Sequence, residues 1–238
     1  QSELSQLNTR IGEDVPVSKE LFLLVAFAEQ IRQATAGAFD ITVQSILAGW
    51  GYDAGYSLRE GETGSTGAIT LDPKQSTVRL AAPIDLGALG KGYALDRILP
   101  HFADFADILL DAGGDLFARG CAASGQPWTI VFEHPTDTGQ AIGQVAAETS
   151  LFFAASSPAR RQWRDRHHLV QPQRKAPASD MLMTYVQARQ GMMADALSTA
   201  LFVLGWERAQ RLLPELDAEA MLVGTHGRVY RTPGFRGE

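Results

Sequence analysis

Apolar residues recur at helical spacing near the start of the chain. One face of a predicted helix is formed by Leu21, Leu24, Val25 and Ala28. Ser18 is a suitable N-cap, and Gly37 is expected to stop the helix shortly after Thr35. A second, shorter helix is predicted over residues 42–50.

Short runs of β-branched and aromatic residues predict strands in most of the remaining chain. These strands are predicted at residues 68–71, 77–81, 108–110, 116–118, 128–132, 142–147, 151–155, 183–188, 221–223 and 229–231. The glycine-rich residues 55–67 show no core periodicity and are predicted to form a loop. Because consecutive strands follow one another with few helices between them, the pattern predicts an α+β fold with mostly antiparallel sheet.

A further amphipathic helix is predicted in the last quarter of the chain. Its apolar face carries Leu197, Leu201, Leu204 and Ala209. Asp195 is expected to open this helix, which is expected to be the longest in the protein and to end before Pro214.

The composition is that of a globular protein with a substantial core, since 45% of the 238 residues are hydrophobic and 20% are charged. The formal net charge of −6 argues against nucleic-acid binding, which requires clustered Lys and Arg. A short basic run at residues 160–166 is interpreted as a solvated loop. Cys121 is the single cysteine, so an intrachain disulfide is excluded. No apolar run reaches the ~18 residues of a membrane span.

The segment Asp85-Leu-Gly-Ala-Leu-Gly-Lys91-Gly92 is the first candidate for chemistry. Its glycines permit backbone amides to approach an anionic ligand at the start of a helix, and Lys91 adds a positive charge. A tight structural turn explains the same residues equally well, so both interpretations stay open.

Three oxygen-bearing side chains form the second candidate. Asp195, Ser198 and Thr199 are spaced i, i+3 and i+4, so they share one face of a helix. A carboxylate with two hydroxyls suits a magnesium ion that keeps several waters and a substrate phosphate. The alternative is that Asp195 caps the helix and the hydroxyls bond to backbone carbonyls.

Two shorter motifs and a histidine pair complete the candidates. In the segment Gly37-Ala-Phe-Asp40, an aromatic ring beside a carboxylate could hold a ligand with a ring system by stacking and hydrogen bonding. The commoner case is that Phe39 packs in the core and Asp40 caps a helix. The segment Asp111-Ala-Gly-Gly-Asp115 permits close backbone approach or, alternatively, a type I′ hairpin turn. His167 and His168 lack a zinc-binding spacing, but a neutral imidazole near a phosphate is a suitable general base.

Taken in order along the chain, these motifs resemble the ApbE family of FAD:protein FMN transferases. The matching segments are residues 5–8, 37–40, 85–94, 111–115 and 194–205. The resemblance implies an α+β architecture of duplicated T-fold units, with largely antiparallel sheet, flanking helices and FAD in a cleft between the units. It also implies one domain over residues 1–238 that lacks the family's N-terminal strands.

The resemblance also implies roles for individual residues. The implied FAD contacts are Ala38, Phe39, Asp40, Asp85, Lys91 and Leu169. The implied Mg²⁺ ligands are the backbone oxygen of Ala88 together with Asp195, Ser198 and Thr199. His168 is the implied catalytic residue, which takes the proton of the attacking hydroxyl.

The implied activity is magnesium-dependent transfer of FMN from FAD to a Thr or Ser hydroxyl of an acceptor protein that carries a flavinylation motif, with release of AMP. Two alternatives stay open: a flavin carrier that binds FAD without transfer, and an FAD pyrophosphatase that gives FMN and AMP. The chain has Gln171 where the family usually has Asp, Ser156-Ser157-Pro158 in place of Thr-Ser-Gly, and Lys175 in place of Gly. The loss of the carboxylate at position 171 favours the carrier alternative.

The resemblance finally implies a periplasmic location, on the outer side of the bacterial inner membrane. A membrane contact is expected only through a lipoprotein anchor outside these residues. No signal peptide is recognisable in the 238 residues, which begin with Gln1.

Overall fold

The computed structural model describes residues 2–53, 55–137 and 139–237. Its mixture of helices and antiparallel strands confirms the predicted α+β class. The chain divides into two compact units, one of Gln1–Leu86 and Arg161–Pro177, the other of Gly87–Arg160 and Ala178–Glu238. Each unit is therefore built from two separate stretches of the sequence.

The helices of the described residues are mostly short. The α-helices are α1 (Glu3–Asn8), α2 (Lys19–Ala34), α3 (Gln44–Gly49), α4 (Gly90–Ile98), α5 (Gly191–Leu204) and α6 (Trp206–Leu212). Turns of 3-10 helix occur at Ile41–Val43, Leu99–Phe102, Leu213–Glu215 and Thr225–Gly227. None of the helices within the described ranges combines the length and the apolarity needed to cross a bilayer.

The strands confirm the ten predicted segments and add several very short ones. The strands are β1 (Val15–Pro16), β2 (Ile69–Asp72), β3 (Thr77–Leu80), β4 (Ile108–Asp111), β5 (Leu116–Arg119), β6 (Thr129–Glu133), β7 (Ala141–Ala146), β8 (Leu151–Ser156), β9 (Gln162–Trp163), β10 (Arg166–His167), β11 (Val170–Gln171), β12 (Ala176–Pro177), β13 (Met181–Ala188), β14 (Glu219–Gly224) and β15 (Val229–Arg231).

The first unit combines helix α2 with a small antiparallel sheet of order β1-β3-β2. As predicted, Ser18 caps α2, because its hydroxyl accepts a hydrogen bond from Leu21 N at 3.1 Å. Residues 55–67, all of them described, belong to no helix or strand, which confirms the predicted loop. A buried cluster of Ile46, Leu47, Trp50 and Val170 joins α3 to β11.

The second unit is organised by an antiparallel sheet of order β15-β14-β13-β8-β5-β4. Strand β13 is buried on both faces. Met183 and Tyr185 on one face join a core that includes Phe132 of the β6–β7 hairpin. On the other face, Thr184 Oγ1 donates a hydrogen bond to the Ser198 carbonyl at 2.7 Å, which ties helix α5 to the sheet.

The prediction for helix α5 was wrong at both ends. The helix begins at Gly191 rather than Asp195, because the carboxylate of Asp96 accepts hydrogen bonds from the first backbone N–H groups. It ends at Leu204, because Gly205 adopts a φ of 78° and separates α5 from α6. With 14 residues, α5 is shorter than α2, which has 16.

Candidate functional site

The first turns of helices α4 and α5 lie against each other in the second unit. A Cβ atom on Gly92 would lie 2.0 Å from the Gly191 carbonyl oxygen, and one on Gly191 would lie 2.5 Å from the Gly92 carbonyl oxygen. Both distances are shorter than a real Cβ contact, so this crossing requires glycine in both helices. Helix packing thus explains one of the glycines in the sequence motif of residues 85–92.

Asp195 lies at this crossing and is only 3% exposed. Its Oδ2 accepts a hydrogen bond from Gly92 N at 3.0 Å, so Asp195 caps helix α4 rather than its own helix. The pKa of Asp195 is raised to about 7, chiefly by burial and then by the negative charge of Asp115, against the opposing effects of Lys91 and the Gly92 N–H. The carboxyl group therefore needs a nearby cation to stay ionised at neutral pH.

Asp115 is the second buried carboxylate of this site and is 1% exposed. It follows a turn in which Gly113 and Gly114 have φ angles of 75° and 100°, as a type I′ hairpin turn requires. Lys91 Nζ lies 2.8 Å from Asp115 Oδ2 as an ion pair, although neither Asp115 oxygen makes a hydrogen bond of normal geometry to the described residues. Lys91 is the second residue of α4, and its positive charge acts on both carboxylates.

Three hydroxyl groups lie next to one another on helix α5 and strand β8. Ser156 Oγ lies 2.8 Å from Ser198 Oγ and 3.1 Å from Thr199 Oγ1. Ser198 also donates a hydrogen bond to the Asp195 carbonyl at 2.8 Å, as the structural alternative for this motif predicted. Ser156 therefore joins the set of Asp195, Ser198 and Thr199, and the sequence motif did not include it.

The chemistry of these groups fits a hard divalent cation such as Mg²⁺. The side chains offer only carboxylate and hydroxyl oxygens, and Ala88, whose carbonyl was predicted to be a ligand, lies in the turn before α4. Within the described ranges, no three His, Cys, Asp or Glu side chains form a group that holds a metal by itself. An ion held here would therefore fill its remaining positions with water or phosphate oxygens, which is the usual coordination of Mg²⁺.

We expect the titration of Asp195 to remove stability from the metal-free protein as the pH rises from about 4 to about 7. The ordinary pKa of an Asp is 3.8 and that of Asp195 in the folded protein is about 7, so the folded state holds this proton more tightly than the unfolded state. The resulting stabilisation is present below pH 3.8 and is lost as the pH rises through the folded pKa.

Urea unfolding in EDTA at a series of pH values measures this effect against Asp195→Asn, which cannot titrate. The free energy of unfolding of the wild type, taken relative to that of the variant, should fall as the pH rises. Identical slopes in the two proteins would contradict the assigned pKa.

The residues predicted to contact the flavin lie in the first unit. Ala38 and Phe39 are 4% and 1% exposed and belong to its core. Asp40 caps the following 3-10 helix, accepting hydrogen bonds from Thr42 N at 2.8 Å and Thr42 Oγ1 at 2.6 Å. Burial raises the pKa of Asp40 above its ordinary value. Phe39 therefore packs in the core and Asp40 caps a helix, as the structural alternative for this segment predicted. The contact of these residues with the flavin stays a prediction.

His168 lies in an aromatic cluster of the first unit. The Tyr52 ring is stacked on Trp163, with centroids 5.2 Å apart, and its centroid lies 6.5 Å from that of His168. Leu169 is 3% exposed, and its backbone N donates a hydrogen bond to His167 Nδ1 at 3.2 Å. The sequence motifs singled out His168 but not the aromatic side chains that lie near its ring.

Asp85 is the remaining candidate in the first unit. Its backbone N donates a hydrogen bond to the Ile41 carbonyl at 2.7 Å, so the segment after Ile84 is tied to the 3-10 helix that Asp40 caps. The carboxylate is partly exposed. Its contact with FAD stays a prediction.

Comparison with known proteins identifies the family. The model of the ApbE family matches residues 1–222, which includes every candidate residue described above. The chain belongs to the ApbE family. The family resemblance expected from the five sequence motifs is thereby confirmed.

Relatives and solved structures agree with this membership. The FAD:protein FMN transferase of Haemophilus influenzae is 29% identical over an alignment of 247 positions, which covers 93% of this chain and 71% of that protein. The crystal structure of the ApbE protein of Thermotoga maritima superposes with a TM-score of 0.86 at 29% identity and covers 98% of this chain and 82% of that one. The flavin transferase ApbE of Vibrio cholerae, at 21% identity, has a TM-score of 0.82 over 98% of this chain and 82% of its own and supports the fold.

The structure places two further residues of this ApbE chain in the site, Asp115 and Ser156, to which the sequence motifs assigned no role. Asp115 was quoted as the end of a glycine turn without a role, because its partner Lys91 belongs to another element of the fold. Ser156 was noted only as a departure from the family pattern. Its contact with Ser198 depends on the pairing of β8 with β13, which no local pattern reveals.

Proposed function

We propose that the chain is a magnesium-dependent FAD:protein FMN transferase that moves FMN from FAD to a Thr or Ser hydroxyl of an acceptor protein and releases AMP. The observation that carries the proposal is the buried oxygen site at the crossing of α4 and α5, where Asp195 and Asp115 lie beside Lys91. The names of the relatives support the transfer of FMN from FAD to a protein.

In the proposed site, Asp195 supplies the charge that holds the metal, and the Ala88 carbonyl, Ser198 and Thr199 supply neutral oxygens. A magnesium ion bound there offsets the negative charge of the pyrophosphate oxygens. Lys91 donates to the same oxygens, and its ion pair with Asp115 at 2.8 Å holds its side chain in place. The contribution of these residues is positioning and electrostatic stabilisation, as is general for phosphoryl transfer.

In the proposed reaction, the acceptor hydroxyl attacks the FMN-side phosphorus. A new oxygen–phosphorus bond forms, and the bond between that phosphorus and the oxygen bridging to AMP breaks. His168 takes the proton of the hydroxyl, and its ring lies beside the stack of Tyr52 on Trp163. Ala38, Phe39, Asp40 and Leu169 are the proposed contacts of the flavin, and Asp85 is a further proposed contact of FAD.

Product analysis tests the proposal. The protein is incubated with FAD, magnesium and an acceptor domain that the Haemophilus influenzae relative flavinylates under the same conditions, and flavins and nucleotides are separated by chromatography. Transfer gives AMP and no free FMN. Free FMN with AMP would instead show a pyrophosphatase. Unchanged FAD would favour the flavin carrier, which Gln171 in place of the family's Asp also favours.

Lys91→Ala should weaken FAD binding far more than riboflavin binding. Charge-assisted hydrogen bonds contribute about 1.5–3 kcal/mol, which corresponds to a loss of roughly ten- to a hundredfold in FAD affinity. Riboflavin has no phosphate and should lose little. Flavin fluorescence titration measures both affinities, with Lys74→Ala, an exposed lysine between β2 and β3, as the matched control. Equal losses for the two ligands would place Lys91 away from the pyrophosphate.

A further inference from the structure

Helices α4 and α5 both lack a side-chain cap at their own N-cap positions. Leu89 and Gln190, which occupy these positions, make no side-chain capping hydrogen bond. The first N–H groups of an α-helix have no partner inside the helix and carry its positive dipole end. Another part of the second unit must therefore satisfy them.

Each of the two helices is capped by an aspartate of the other. Asp195 of α5 accepts from Gly92 N of α4 at 3.0 Å. Asp96 of α4 accepts from Gly191 N and Met192 N of α5, at 2.7 Å to Oδ1 and 2.8 Å to Oδ2. The two carboxylates therefore form reciprocal caps at one helix crossing.

The reciprocal caps define a rigid geometry. Gly92 and Asp96 are four residues apart on α4, and Gly191 and Asp195 are four residues apart on α5, so each pair occupies one face. Gly92 and Gly191, which donate two of these hydrogen bonds, also form the close contact between the two helices. Both the approach of the two helices and their rotation about their axes are thereby fixed, and so is the direction in which the Asp195 carboxylate points.

In the proposed site, the carboxylate of Asp195 both caps helix α4 and binds the metal, and both interactions draw on its negative charge. Its Oδ2 is already used by Gly92 N, so a metal would use the other oxygen and draw charge away from the cap. Asp96 has no such second task, because both of its oxygens are used at the start of α5. It can hold the crossing whether or not Asp195 binds a metal.

We infer that Asp96 is a positioning residue that sets the metal affinity of Asp195 by locking the first turn of α5 onto α4. The inference rests on the proposed function, in which Asp195 is a magnesium ligand. Partners that orient a metal ligand typically change metal affinity by about ten- to a hundredfold when they are removed.

The test measures metal binding directly. Mn²⁺ is titrated into the metal-free protein and followed by electron paramagnetic resonance, and the same protein is assayed with the acceptor domain for the magnesium dependence of FAD cleavage. We expect Asp96→Ala to weaken Mn²⁺ binding at least tenfold and to raise the half-saturating magnesium concentration by a similar factor. Asp96→Asn keeps one acceptor oxygen and should show a smaller loss. Asp104→Asn, an exposed carboxylate just beyond α4, is the matched control and should behave as wild type.

The outcomes separate this inference from the proposed function. A lower melting temperature with wild-type Mn²⁺ affinity in both Asp96 variants would show a merely structural cap and overturn the inference. Failure of the isosteric Asp96→Asn to fold would overturn it as well, since Asp96 would then carry the fold rather than the metal site. Absence of magnesium-dependent FAD cleavage in the wild type would instead contradict the proposed function.

Discussion

Asp195→Asn is expected to slow magnesium-dependent FAD cleavage on the order of 10³-fold while leaving the protein folded. The substitution removes the charge of the proposed metal ligand, and charge stabilisation by a bound metal is worth several kcal/mol in the transition state, at about 1.4 kcal/mol for each tenfold in rate. The shape of the side chain is kept, and the amide oxygen can still accept the hydrogen bond that Gly92 N donates at 3.0 Å.

The same substitution should have the opposite effect on stability. Asp195 is buried beside Asp115, so in the metal-free protein above pH 7 two carboxylates repel each other, and the asparagine relieves this repulsion. The free energy of unfolding in EDTA at pH 8 should therefore be equal to or higher than that of the wild type. Asp217→Asn, at an exposed position, is the control for both measurements. Wild-type FAD cleavage in Asp195→Asn would exclude Asp195 as a metal ligand.

Gly92→Ala is expected to destabilise the second unit by about 3 kcal/mol or more. The added Cβ would lie 2.0 Å from the Gly191 carbonyl oxygen and 2.8 Å from the Asp195 Cβ, so the two helices must move apart. Substitutions that overpack a core usually cost about 1–3 kcal/mol of stability, and one that forces two packed backbones apart is expected at the upper end of that range or above it. The hydrogen bond from Gly92 N to Asp195 would lengthen at the same time, so metal binding should weaken as well.

Gly90→Ala in the same helix is the matched control. No atom lies within 4 Å of a Cβ built there, and its φ is not positive, so alanine should be neutral or stabilising by up to about 1 kcal/mol. Urea unfolding of the two variants beside the wild type measures the difference. Similar stabilities of Gly92→Ala and Gly90→Ala would contradict the close helix crossing.

Local sequence signals predicted those parts of the fold that local chemistry determines. Ser18 and the apolar spacing that follows it predicted helix α2, and the hairpin of β2 and β3 appeared where the alternating residues placed it. Strands β9 to β12 were missed, because pairs of two residues are too short to show alternation. They depend on the packing of the segment around Trp163 against Trp50, whose carbonyl accepts a hydrogen bond from Trp163 Nε1 at 3.1 Å.

The sequence predicted the residue types that form the candidate site, but not the tertiary contacts that bring the residues together. The spacing of Asp195, Ser198 and Thr199 correctly placed them on one helix. The start of that helix could not be predicted, because its cap is Asp96, almost one hundred residues earlier in the chain. The role of Asp115 was missed for the same reason, since its partner Lys91 belongs to another element. Tertiary contacts of this kind leave no periodic signal in the sequence.

The mass of the acceptor domain tests the central claim most directly. The domain is incubated with FAD, magnesium and either the wild-type protein or Asp195→Asn, and its intact mass is measured by mass spectrometry. We predict an increase that corresponds to one FMN with the wild type, and none with the variant or with EDTA. An unmodified acceptor in the wild-type reaction, or an equal adduct with Asp195→Asn, would contradict a magnesium-dependent FMN transferase centred on Asp195.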